Sequence, residues 1–167
     1  MTKKRVLILF GGRSAEHEVS VISARSVYRA LDRDRYVPVL VGIDGEGNWL
    51  FGGDDEEMLL TKRVMGAQSA LVRLGNRPGE LVAHDGADVE SGRFDVVFPL
   101  LHGPYGEDGT VQGLLELAGV PYVGAGVAAS AVGMDKELAR AIFSAAGLPQ
   151  TRFAVIRRTR WSENPNL

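Results

Sequence analysis

The sequence predicts an α/β protein built on an open, mostly parallel sheet with flanking helices. Three observations point there. Val6-Leu7-Ile8-Leu9-Phe10, Tyr36 to Ile43 and Asp95 to Leu100 are short runs dominated by apolar residues. Strands covered on both faces read this way. Between such runs lie segments with apolar residues at helical spacing, such as Val19, Ile22 and Val27. Glycine-rich turns then separate strand from helix, at Gly11-Gly12 and again from Gly103 to Gly109. Strand, helix and strand in that order form a right-handed crossover unit.

The elements follow in chain order. Val6 to Phe10 is a first buried strand, stopped by Gly11-Gly12. Ser14 is placed to cap a helix, with Glu16 and Glu18 near the positive end of its dipole. Val19, Ile22, Val27, Ala30 and Leu31 follow at roughly helical spacing, and Asp32-Arg33-Asp34 closes the helix. Tyr36 to Ile43 is the second strand, and Asp44-Gly45-Glu46-Gly47-Asn48 turns the chain into a short strand at Trp49-Leu50-Phe51. The pattern is weaker from Gly52 to Gly92: a short helix over Asp54 to Leu60, then strands at Ala70 to Leu74 and Glu80 to His84. This stretch reads as an elaboration of the sheet edge.

Asp95 to Leu100 restores the buried-strand pattern. Thr110 is placed to cap a helix with Val111, Leu114, Leu115 and Ala118 on one side, ended by Gly119. Pro121-Tyr122-Val123 is a short strand. Asp135 caps the next helix, whose inner face is Leu138, Ile142 and Ala146, and Gly147 and Pro149 stop it. Arg152 to Arg158 alternates enough to form a strand.

The 167 residues suffice for one domain and the start of a second. Nineteen basic residues against 21 acidic ones leave −2, with no charge excess to suit nucleic acid or an anionic membrane. There is no cysteine, hence no disulfide framework or thiolate chemistry. No apolar run approaches the roughly 18 residues of a membrane span. Met1 to Arg5 is basic like the start of a signal peptide, but the apolar run after it stops at Gly11, short of a signal core of about 7–15 residues. A cytoplasmic protein is expected.

In open α/β sheets, ligands bind beyond the carboxyl ends of the strands. Two unusual loops leave strands at that edge. The first, Gly11 to Ser20, is neither a dinucleotide fingerprint nor a P-loop. A carboxylate beside its glycine turn would repel phosphate and suits a cation, so Glu16 is a candidate partner for a substrate ammonium group. The alternative is that Glu16 and Glu18 only complement the helix dipole. The second loop, Leu101 to Thr110, lets a ligand approach closely through its glycines. It carries His102 directly after a buried strand, as a site residue or as a hydrogen-bonded structural histidine. His17, His84 and His102 fit no zinc spacing, and no G-x-S-x-G elbow is present. Lys136 opposes the dipole at a helix start. A nucleotide phosphate would explain it, and so would a solvated surface position.

Taken together, three stretches resemble the D-alanine–D-alanine ligase family. Gly-Gly-Arg-Ser-Ala-Glu-His-Glu-Val-Ser, Gly11 to Ser20, is similar to that family's opening motif. His102 to Gly113 resembles its H-G-x-x-G-E-D-G-x-x-Q-G signature at every fixed position. Tyr122 to Lys136 resembles the segment leading into the ATP-grasp core. The resemblance implies ATP-dependent joining of two D-alanines through an acyl phosphate for peptidoglycan synthesis, with Mg²⁺ as cofactor. It implies that Glu16 holds the ammonium of the first D-alanine and that Val19 packs near its methyl group. It also implies that His102 lines the same site as a catalytic residue, and that Lys136 lies on the ATP phosphate side.

By the same resemblance, residues 1–127 form a substrate-binding domain and 128–167 the first helix and strand of an ATP-grasp central domain. A homodimer through the amino-terminal domain is implied. Family members are roughly twice this length, so the Mg²⁺ ligands and most ATP contacts are expected beyond Leu167. The chain alone is then expected to be inactive. Two other readings remain: a non-catalytic binding or dimerisation module, and another ATP-grasp carboxylate–amine ligase, such as one forming D-alanyl-D-lactate.

Overall fold

A computed structural model describes residues 2–54, 56–64, 70–83 and 88–163. It divides into two compact units, Met1–Ala131 and Val132–Leu167.

The first unit is built around β1 (Lys4–Gly11), flanked in parallel by β2 (Tyr36–Ile43) and β7 (Val96–Pro99). Side chains of β1 alternate between the two faces, as a strand requires. Leu7 and Leu9 join Val39, Val41 and Val97 in one core, closed by Val111 and Leu115 of α2 (Thr110–Leu117). Val6, Ile8 and Phe10 join Leu40 in the other, closed by Val21 and Ala24 of α1 (His17–Ala30). All five of these β1 side chains are buried, which is why the run reads as apolar throughout.

The α/β class holds, but the sheet is mixed rather than mostly parallel. Its order is β6-β5-β4-β3-β2-β1-β7. From β2 outward the pairings through β3 (Trp49–Gly53), β4 (Ala70–Leu74), β5 (Glu80–Ala83) and β6 (Asp88–Arg93) are antiparallel. The cause is connection length. The turn at Asp44 to Asn48 is too short for a crossover and can only return the chain antiparallel. The Asp44 carboxylate accepts the Glu46 and Asn48 backbone N–H groups and the Asn48 side-chain amide, closing that turn. The weakly patterned stretch is thus an antiparallel ribbon on the sheet edge, with Glu56–Leu59 forming one 3-10 turn. The expected strand end at His84 lies outside the described residues.

The helices deviate from expectation in their inward faces. In α1 the buried residues are Ser20, Val21 and Ala24, whereas Val19 and Ile22 are each 51% exposed. The true inward stripe contains a serine, which hydrophobicity alone does not pick out. In α2 Gln112 is buried with Val111 and Leu115, while Leu114 faces outward. Thr110 is the first helical residue and not the cap, since Gly109 occupies that position at φ +92. The strand expected at Pro121 to Val123 is a single parallel bridge between Tyr122 and Val97.

A third helix, α3 (Val127–Met134), precedes α4 (Lys136–Ala145). Asp135 caps α4 as expected, accepting the Glu137 and Leu138 N–H groups. Its expected inner face is not covered: Leu138 and Ile142 are about half exposed, Ala146 is exposed, and only Ala139 is buried. No strand forms over Arg152 to Arg158. The segment has no regular secondary structure and no ladder partner among the described residues, and it runs into α5 (Arg158–Glu163). A strand needs a neighbour for its backbone groups.

Candidate functional site

The site is built where β1 and β7 end side by side. Ser20 lies behind the junction and is fully buried. Its hydroxyl accepts the Gly11 N–H at 2.7 Å and donates to Leu100 O at 2.6 Å. One side chain therefore satisfies the last N–H of β1 and the first carbonyl beyond β7. Ser20→Ala leaves those two buried groups unpaired, at a cost of about 2–4 kcal/mol. Thermal denaturation of the variant is expected to show a Tm lower by roughly 5–15 °C.

Ahead of Ser20, the two loops touch. Ser14 does not cap α1. Its hydroxyl donates to His102 O at 2.7 Å and accepts the Glu16 N–H at 3.1 Å. Glu16 itself occupies the N-cap position and makes no side-chain capping bond. Its carboxylate lies over the backbone of Gly103, where a Cβ would sit 2.6 Å from Glu16 Oε2. Gly103 has φ +72, a left-handed conformation that any larger residue adopts only with strain.

His102 is part-buried between the two elements. Ser23 Oγ of α1 lies 3.0 Å from its Nε2, and Glu107 Oε1 lies 3.8 Å from its Nδ1. The other Glu107 oxygen accepts the Gly103 N–H at 2.7 Å. Asp108 accepts the Tyr105 and Thr110 N–H groups, bracing the loop where Tyr105 takes a positive φ of 68. Burial pushes the Asp108 carboxyl up, but these hydrogen bonds outweigh it and hold it below the ordinary aspartate value.

His17, passed over as a site residue in the sequence, has a structural part. Its Nδ1 lies 2.7 Å from Gly12 O and its Nε2 accepts the Val64 N–H at 3.1 Å. That pattern requires a neutral ring, with the proton on Nδ1.

The structure thus gathers Glu16 and His102 from residues 86 positions apart in sequence (102 minus 16). Val19 stands three residues beyond Glu16, so on the same side of α1. Lys136 is the exposed first residue of α4, in the second unit. Two participants that sequence reasoning missed are Ser14, taken as a cap, and Ser23, whose position on α1 carries no pattern. A cavity of about 300 Å³ is lined by Ser14 and His102 of the two loops together with Ile43, Trp49, Leu101 and Val111, with Arg13 stacked 4.6 Å over the Tyr105 ring. Among the described residues, no three His, Cys, Asp or Glu side chains gather to hold a metal. No described helix is long and apolar enough to cross a membrane.

A carboxylate, an imidazole and three serine hydroxyls thus gather at the carboxyl ends of the parallel strands of an α/β protein, the edge where open sheets of this class bind ligands. A family model for the D-ala D-ala ligase N-terminus matches residues 5–125. The chain belongs to this family. It is 53% identical over 158 residues to the D-alanine–D-alanine ligase of Rhodococcus jostii, covering 88% of this chain and 42% of that protein. The solved D-alanine–D-alanine ligase of Coxiella burnetii superposes with a TM-score of 0.76 at 36% identity, over 88% of this chain and 43% of that one. The VanG D-Ala:D-Ser ligase of Enterococcus faecalis superposes at 0.79 with 30% identity, over 97% of this chain and 47% of that one. The chain thus spans less than half the length of each of these relatives.

Proposed function

We propose that this chain is the amino-terminal part of an ATP-dependent ligase that joins two D-alanines in cell-wall precursor synthesis, and that Glu16 receives the ammonium of the first D-alanine. The observation carrying this reading is the Glu16 carboxylate over Gly103, one residue from His102, at the carboxyl edge of the sheet. A carboxylate there gives a cationic group charge-assisted hydrogen bonds and fixes the orientation of the amino acid behind it. Val19 packs near the substrate methyl group, and His102 orients the substrate through a ring held by Ser23. When bound, ATP supplies the phosphoryl group that activates the first carboxylate. Lys136 faces its phosphates, and the Mg²⁺ ligands belong to the ligase sequence outside this chain. Residues 128–167 begin the ATP-grasp central domain. The enzyme works in the cytoplasm as a homodimer through the amino-terminal domain.

The test uses the full-length ligase carrying this chain. Glu16→Gln is expected to raise KM for the first D-alanine by roughly 10- to 150-fold, the equivalent of a charged hydrogen bond worth about 1.5–3 kcal/mol. Lys136→Ala is expected to weaken ATP more than D-alanine. Unchanged D-alanine kinetics in the first variant would refute the ammonium role. The likeness to a D-Ala:D-Ser ligase favours a second reading, in which the same first-substrate site serves a different second substrate. Product analysis with D-alanine, D-serine and D-lactate in competition separates the two. Gel filtration with the full-length enzyme separates both from a non-catalytic dimerisation module.

A further inference from the structure

We infer that Ser14 is a positioning residue that sets the distance between Glu16 and His102, and so the affinity for the first amino acid. The inference rests on the ammonium reading of Glu16. Three hydroxyls tie α1 and its preceding loop to the β7–α2 segment, and they do different things. Ser20 is buried and joins the strand ends. Ser23 reaches the His102 ring, with its Oγ 3.0 Å from Nε2. Ser14 alone of the three binds both loops at the level of the site, through His102 O on one side and the Glu16 N–H on the other.

Helix α1 does not depend on it. The first turn closes through Ser20 N–H to Glu16 O at 3.0 Å, and no side chain caps the helix. The Glu16 carboxylate is held by neither a cap nor a salt bridge among the described residues, so its placement over Gly103 follows from where the backbone is pinned. Removing the Ser14 hydroxyl leaves the strand junction intact and lets the two loops drift apart at their tips.

In the full-length ligase, Ser14→Ala is expected to raise KM for the first D-alanine about tenfold, the scale of one or two lost neutral hydrogen bonds. The KM for ATP should stay within about twofold. Ser14→Thr keeps the hydroxyl and is expected to recover most of the affinity. The effects of Ser14→Ala and Glu16→Gln should be less than additive, because the first acts through the second. A merely structural serine would instead lower Tm, raise both KM values together and combine additively with Glu16→Gln. Any of those results overturns the inference, as does a threonine variant as impaired as alanine. Amide exchange at Glu16 in the same protein reads the tie whether or not dipeptide forms. Faster exchange in Ser14→Ala is expected, and unchanged exchange would overturn the inference. A wild-type enzyme that makes no dipeptide, with exchange still accelerated by Ser14→Ala, would count against the ligase reading and not against the tie.

Discussion

Alanine in place of Gly11 is expected to cost roughly 3–5 kcal/mol and to lower Tm by about 10–20 °C. Gly11 is the last residue of β1 and pairs with Ile43 of β2. Its φ of +89 is a conformation that costs an alanine about 1–2 kcal/mol. The added Cβ would also land on Ile43 O, well inside contact distance, with the Val64 side chain at 3.0 Å. Ile43 O cannot retreat freely, because it accepts the Gly12 N–H at 2.8 Å. Moving it breaks a buried backbone pairing worth a further ~1–3 kcal/mol when left unsatisfied. Against a typical total of about 5–15 kcal/mol, that is a large fraction. Thermal and urea unfolding of Gly11→Ala measure it. Gly45→Ala is the control, since nothing lies within 4 Å of a Cβ there. A Gly11 variant that melts with the Gly45 one would show that the β1 turn tolerates a side chain.

The contrast between those two glycines shows what the sequence can and cannot say. Gly11 and Gly45 both read as turn residues, and only the fold distinguishes them, through the positive φ of Gly11 and the neighbouring strand against it. The three parallel strands were legible because burial on both faces leaves an unbroken apolar run, as in Val6 to Phe10. The antiparallel ribbon was legible as strands, but its direction is set by turn length, and β6, with Asp88, Glu90 and Ser91, has no apolar run to announce it. The inward face of α1 was misread because a buried serine satisfied by two backbone groups looks polar in sequence, while the exposed Val19 and Ile22 look like core. At the site, Glu16 and His102 stood out by residue type. Ser14 did not, because the carbonyl it binds is 88 residues away.

The chain by itself is expected to form no D-alanyl-D-alanine from D-alanine, ATP and magnesium, and the second unit supplies the physical reason. A ligase must hold the acceptor, the phosphates and the developing charge of the transition state at once. On the proposed reading the phosphate side would be represented here by Lys136 alone, on a helix of 10 residues. An isolated helix shorter than ~12–15 residues is marginal in water and needs a packed face. In the described residues of Val132–Leu167 the only buried hydrophobic side chain is Ala139, while Leu138, Ile142, Phe143 and Trp161 are each about half exposed. Amides of α4 are therefore expected to exchange with solvent far faster than those of β1, which open only with the whole sheet. Extending the chain through the rest of the ligase should slow exchange in α4 by orders of magnitude, as its apolar face is buried, and leave β1 little changed. Dipeptide formation by the 167-residue chain, or α4 amides as protected as those of β1 in it, would mean that these residues already carry a complete phosphate-side scaffold.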